Sequence, residues 1–416
     1  MPNSNFFSIK KKSLLQFIGY TGPAILVSMA YMDPGNYGTD IQAGSSFNYD
    51  LLWIVWLSSG MAMLLQYLSG KLGISTGFTL PELIRKKFPS KYFIIPYWLG
   101  AEAASAATDL AEYLGTVIAL NLLFGIPMIY AAIIGAVDTV LILALATQRK
   151  FHLIERLFIV FVSIIGFGYI YDLFVVSPDP YLVVYHSFVP SLTTSNSLFL
   201  VVGIIGATVM PHALFLHSWL TKNKSENKSI LEKRRLRKYH LLEIILLLTM
   251  AGFVNAAILI MAAAAFYPHS TVSSISEAYR TLIPLFGTIS GIVFVFTLLS
   301  SGIASSVVGT LAGQVIMEGL LGKKVNVWFR RFVTRFINVI PTTIAIFLGI
   351  DPLNILVYSQ VILSIMLPLP MIPLIIFTRD RNLMGEFVNR RITNLLALLF
   401  VGIIIVFNSY LLIAAI

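Results

Sequence analysis

No cysteine occurs among the 416 residues, and acidic and basic side chains make up only 12 % of them, roughly half the share typical of soluble domains. The first absence excludes disulfides, thiolate metal sites and thiol catalysis. The second excludes an ordinary soluble fold. No His-Glu-x-x-His run is present and no Ser/His pair stands at a convincing catalytic break, so the chain does not read as an enzyme and no catalytic residue is assigned. No stretch is long and polar enough for a separate soluble domain. What fills the chain is apolar: 57 % hydrophobic residues and a mean hydropathy of +0.85. Bilayer-length apolar runs recur from end to end, which predicts an all-α polytopic membrane protein forming one transmembrane domain over 1–416.

Hydropathy places eleven spans near 15–46 (interrupted), 51–70, 93–124, 127–147, 157–176, 195–221, 242–266, 283–317, 332–350, 352–377 and 392–416. The first follows Lys10, Lys11 and Lys12 but lacks a small-residue cleavage site, so it reads as a retained helix and not a signal peptide. All but one of the 29 Lys and Arg fall in alternate connections on the N-terminal side, and only Arg280 lies opposite. The positive-inside rule puts the N-terminus in the cytoplasm and, after an odd number of spans, the C-terminus outside, in a cell (inner) membrane. The net charge of +10 is thereby explained without a nucleic-acid partner. The basic 222–238 segment reads as a solvated connection facing anionic lipid headgroups, and no obligate protein partner is inferred.

An apolar span keeps its backbone bonded internally, so proline and glycine beside an acid in mid-span require a reason. Asp33-Pro34-Gly35-Asn36 breaks the first span, because Pro34 removes an amide donor and Gly35 lowers helix propensity. In the sixth span, Gly206-Ala207-Thr208-Val209-Met210-Pro211-His212 repeats the arrangement. Five spans separate the starts of the two. An odd number means that a second five-span unit enters from the other face, the mark of an inverted repeat whose substrate site lies where two discontinuous helices meet. The repeats are expected at about 15–176 and 195–377, with an extra helix at about 392–416. No residue-level identity links the halves.

Unwinding frees carbonyls that can coordinate a cation. Asp33 offers an anionic oxygen, Asn36 an amide oxygen, and Met210 a thioether beside the Ala207 carbonyl. Oxygen ligands alone suit magnesium or calcium, whereas a thioether favours softer first-row ions. One carboxylate among neutral donors is a weak set, as a carrier needs for release, and it points to a transported dication with no resident cofactor. Taken singly, Met210 is ordinary core filler and Asn36 serves equally as the cap of the outer half-helix. Their joint presence at two matched breaks carries the inference. The runner-up is an alkali-ion-coupled amino-acid symporter of the same fold, which predicts a Gly-rich first break leaving amides for a substrate carboxylate.

At these residues the chain resembles the natural resistance-associated macrophage protein (Nramp) family of proton-coupled divalent-metal symporters. Asp33-Pro34-Gly35-Asn36 matches that family's first-helix signature; Gly206 to His212 with Leu216-His217-Ser218 matches the sixth-helix one. Thr108-Asp109-Leu110-Ala111-Glu112, Arg330-Arg331 and Ser359-Gln360-Val361 extend the likeness over nearly the whole chain. It departs at Ala213, where the family usually has asparagine, and at Met366, where a second polar residue is common. The resemblance implies a LeuT-type 5+5 fold and import of manganese, iron or cadmium-like ions with protons. It further implies metal held by Asp33, Asn36, Met210 and the Ala207 carbonyl, with Gln360 joining in some conformations, and proton transfer through the Asp33 and His212 positions and the acids of span 3. Retention of Met210 argues against the branches that move magnesium or aluminium.

Within span 3, Asp109 and Glu112 share a helix face, with Glu102 one heptad earlier on roughly the same stripe. Such a set serves either as a proton relay or as static ion pairs with Arg330, Arg331 or Arg335. For Glu102 alone the static pair is the expectation. His212 is placed either to reach the metal cavity or to orient Asp33 by a hydrogen bond. His217 is expected to be structural.

Overall fold

The computed structural model describes residues 27–414 except 29, 146–150, 193 and 268–273. The start of the first expected span, with its lysines, lies outside the described residues. Among those described there is no strand.

The first span does break where proline and glycine demand it. Residues 27, 28 and 30 are helical, 31–33 form a turn, and α1 (Pro34–Phe47) resumes with the proline at its first position. Helix α2 (Leu52–Thr76) leads through an amphipathic α3 (Leu80–Lys87), opened by a reciprocal Thr79–Glu82 capping box, into α4 (Lys91–Phe124). Then come α5 (Met128–Leu145), α6 (Phe151–Val176) and α7 (Pro180–Phe188). The sixth span is likewise two helices, α8 (Ser195–Val209) and α9 (Pro211–Ser225), joined at Met210. The second half continues with α10 (Ile230–Phe266), α11 (Ile275–Phe286), α12 (Thr288–Leu321), α13 (Val327–Phe347), α14 (Pro352–Met366), α15 (Pro368–Arg379), the short α16 (Arg381–Met384) and α17 (Arg391–Ala414).

Three expectations are corrected. The basic 222–238 segment is not an open connection: α9 runs to Ser225 and α10 starts at Ile230, so only four residues between them are non-helical. Lys and Arg are good helix formers, a Ser229–Glu232 capping box starts α10, and hydropathy reports membrane depth, not helix ends. The eighth span does not start at 283: residues 275–286 form a separate helix that stops at Gly287, which has φ 89°. The tenth span is itself interrupted at Leu367, ahead of Pro368.

By length and hydropathy, seven helices among the described residues suffice to cross a bilayer. One contiguous apolar core runs through α1, α2, α8, α9, α10, α12 and α14. By contrast α13 and α17 leave Phe336, Ile337, Ile340, Phe347, Leu395, Leu398 and Val406 exposed. Apolar faces exposed to this extent are what lipid covers. At the basic end, Lys222 bonds both oxygens of Glu82 at 2.9 Å and Arg234 holds Glu386 through two nitrogens. Burial alone would raise the Glu82 carboxyl, but Lys222 and the Thr79 cap hold it below its ordinary range.

Candidate functional site

Asp33 ends the first turn of chain and caps α1: its Oδ1 accepts from the Asn36 backbone amide at 2.9 Å and from Asn36 Nδ2 at 2.7 Å. Asn36 Nδ2 also reaches the Ala207 carbonyl across 3.2 Å. That carbonyl lies one residue before Thr208, whose hydroxyl approaches Asn36 Oδ1 at 3.4 Å. The two breaks, distant in sequence, are therefore joined by one side-chain amide standing between a carboxylate and a freed carbonyl. The other carboxylate oxygen, Asp33 Oδ2, is buried without a partner.

Gln360, on α14, lies against both breaks. A Cβ on Gly35 would overlap its side-chain amide, and one on Gly206 would overlap its backbone carbonyl. Its Nε2 donates to Ser359 Oγ at 2.9 Å and its Oε1 is unpartnered. Met210 forms the second corner at φ 49°, with its amide bonded back to the Gly206 carbonyl at 3.3 Å. Asp33, Asn36, Ala207, Met210 and Gln360 are all fully buried. Among the described residues no cluster of three or more His, Asp or Glu side chains is placed to hold a metal. The donor set here is one carboxylate with amide and carbonyl oxygens and a thioether at the corner. Two of its oxygens, Asp33 Oδ2 and Gln360 Oε1, are already desolvated and unbonded, which suits a cation that must be released again.

His212 does not orient Asp33 by a direct hydrogen bond. Its Nδ1 pairs with Thr108 Oγ1 at 3.0 Å, and its Nε2 is buried and unpartnered. Through Thr108 the second break touches α4 next to Asp109. Asp109 Oδ2 accepts from Asn338 Nδ2 of α13 at 2.8 Å. Glu112 turns instead to α12, where its Oε2 lies 2.8 Å from where a Gly309 Cβ would stand. One turn further along α12, Gly313 makes room for the Arg330 guanidinium, which pairs with Glu102. The acids of span 3 thus divide between two neighbours: Glu102 and Asp109 face α13, and Glu112 faces α12. The static pair expected for Glu102 is present. The side chains of Arg331 and Arg335 lie outside the described residues.

Sequence reasoning missed Asn255, whose Nδ2 donates to Asn36 Oδ1 at 3.1 Å and to the Tyr31 carbonyl at 3.0 Å. A lone asparagine within the apolar run 242–266 was the available signal, since an amide in hydrocarbon needs partners. Asn338 carries the same signal in span 9. Met366, one of the two departures from the family pattern, packs on Ala104, Ala107 and Leu363 just before the Leu367 interruption.

Two broken helices bonded to each other at the centre of an apolar-surfaced bundle define a membrane transporter of the LeuT type. The solved structure of MhsT in complex with L-phenylalanine shares that fold at a TM-score of 0.63 and 15 % identity, over 95 % of this chain and 98 % of that one. Within the fold, the chain belongs to the Nramp family, described as natural resistance-associated macrophage protein-like, whose match runs over residues 24–414. A divalent metal cation transporter, MntH, of Granulibacter bethesdensis is 44 % identical over 398 residues, 95 % of this chain and 88 % of the relative. The crystal structure of a manganese transporter of Eremococcus coleocola superposes with a TM-score of 0.84 at 33 % identity, covering 95 % of this chain and 85 % of that one.

Proposed function

We propose that this chain imports divalent transition metal ions, manganese and iron foremost, by proton-coupled symport through alternating access. The observation that carries the reading is the buried junction of Asp33, Asn36 and the Ala207 carbonyl. Asp33, Asn36, Met210, Ala207 and Gln360 are the ligands. To bind, Asn36 turns its amide hydrogens away and the dication takes their place between carboxylate and carbonyl. A cavity of about 260 Å³ lined by Gln42, Asn196, Asn354 and Tyr358 lies at the outer end of α1 and serves as the entrance. The N-terminus is cytoplasmic and the C-terminus outside, with repeats at about 15–176 and 195–377. An amino-acid symporter is disfavoured because the first break presents a carboxylate where a substrate carboxylate would have to dock.

Entry of a dication into a negative interior is downhill by ~2.3 kcal/mol per charge per 100 mV, and an accompanying proton adds drive when metal is scarce. Metal requires Asp33 ionised, so its proton leaves by way of His212 and Thr108 to Asp109 and Glu112. The exit is Arg330, with Arg331 beside it, and the partly exposed Glu102. The protein works as a carrier, not an enzyme.

The test is manganese uptake into proteoliposomes, with lumenal pH recorded and magnesium and calcium as competitors. Asp33→Ala should lower uptake at least ~10-fold, Met210→Ala should let magnesium compete, and Asp109→Asn or Glu112→Gln should uncouple acidification from uptake. Undiminished uptake by Asp33→Ala overturns the site. Unchanged proton flux in both acid variants removes the relay.

A further inference from the structure

Below the second break, α9 carries His217 seven residues past Met210, ~10 Å along the helix toward the basic end. His217 Nδ1 stands 2.8 Å from Gln66 Oε1 of α2. With an amide oxygen as acceptor, Nδ1 bears the proton and Nε2 keeps its lone pair, which is the tautomer that a metal-binding imidazole presents. That Nε2 is buried and unpartnered. Against it packs His240 of α10, its ring 4.9 Å away and edge-on at 82°. The His240 ring faces the backbone of α2, where the Gln66 and Tyr67 carbonyls accept from it, and it fits only because Gly70 offers no Cβ. Both histidines are at most 2 % exposed. Leaving a buried polar atom unbonded costs ~1–3 kcal/mol, so His217 Nε2, facing a neutral imidazole that keeps one lone pair of its own, is poor packing and a good ligand.

We propose that His217 and His240 form a second, transient metal site, a two-imidazole waypoint through which a borderline-soft dication passes from the central junction toward the cytoplasm. The inference rests on the transport reading above. Two neutral nitrogens select transition ions and bind magnesium and calcium poorly. No third His, Asp or Glu completes the set among the described residues. Tyr67, stacked on His240 with ring centroids 5.9 Å apart, also carries the Lys71 ammonium 5.5 Å from its centroid, and that charge shortens a dication's stay. Tyr31, two residues before Asp33, approaches Gln66. The histidine pair is thus linked to the first break as well as the second.

Cadmium is the probe, titrated calorimetrically into the purified full chain. Asp33→Ala should retain one weak cadmium site, and adding His217→Gln or His240→Gln should weaken that remainder at least ~10-fold. Loss of all cadmium binding in Asp33→Ala overturns the waypoint, as does a remainder indifferent to both histidines. Asp33→Ala binding as tightly as the native chain would overturn the central site instead, leaving the double variants to decide the waypoint. Cadmium NMR of the native chain needs no substitution: two resonances, one in the nitrogen-ligand range, support the pair, and a single resonance overturns it.

Discussion

The two helix breaks do the same job with different means. At the first, Asp33 has an ordinary extended backbone, φ −77°, and its own side chain caps the helix it interrupts. At the second, Met210 sits at φ 49° and supplies no side-chain cap to α9. On the proposed ligand set, the carboxylate would carry both local structure and ligand chemistry, whereas at Met210 these are separable: the strained φ lies in the backbone and the proposed ligand atom in the side chain. A break that must bind and release a cation without losing its shape gains from this division, because one corner is held independently of the ion.

Both breaks also lean on Gln360, again differently. Gly206 meets its main chain and Gly35 its side-chain amide. A backbone carbonyl in a buried helix cannot move aside, while a side chain can turn. Gly206→Ala should thus cost ~3 kcal/mol or more, the upper end of overpacking penalties, and Gly35→Ala ~1 kcal/mol. Thermal unfolding in detergent measures both. Equal losses would mean that Gln360 does not distinguish the two faces, and the comparison would break.

Much of this was legible before any coordinates. Proline, glycine and aspartate in an apolar run can hardly be anything but a break, and residues that interrupt a helix declare themselves locally. Spacing on α4 announced Asp109, Glu112 and Glu102 as one stripe. Glu102 and Asp109 do turn to α13 together, but Glu112 turns to α12, because three residues advance a helix by about 300° and not by a full turn. What joins the breaks was not legible: Asn255, Thr108 and Asn338 are single polar residues whose meaning depends on which helix lies opposite. The helices over 222–238 were obscured for the converse reason, since charge masks helices that extend beyond the bilayer. Interruption at Leu367 went unnoticed because Pro368, Pro370 and Pro373 lie in a run that carries no acid.

Asp33 offers the next sharpening. Asparagine retains an oxygen to cap the Asn36 amide and removes a buried charge, so Asp33→Asn should be at least as stable as the native chain without metal. Asp33→Ala forfeits the cap and should lose ~1 kcal/mol. Neither should gain stability on adding manganese, which binding to the native fold alone would confer. Unfolding scans with and without manganese check all of this. An asparagine variant as unstable as the alanine one would show that the carboxylate is not the cap.

The smallest effect isolates the second corner. Met210→Ala and Met210→Gly both delete the thioether and leave cavities that differ by one methyl group, so their difference reports the backbone. In a helix interior glycine is worse than alanine by ~1 kcal/mol. At a positive φ the order reverses, because a Cβ there costs ~1 kcal/mol and glycine has none. Met210→Gly should accordingly unfold at higher temperature than Met210→Ala, against the helical trend, with discrimination against magnesium lost in both. The same pair of substitutions at Asp33, where φ is already negative, should show no such reversal. If glycine and alanine rank alike at the two corners, the second break stores no strain, and its shape depends on the methionine side chain after all.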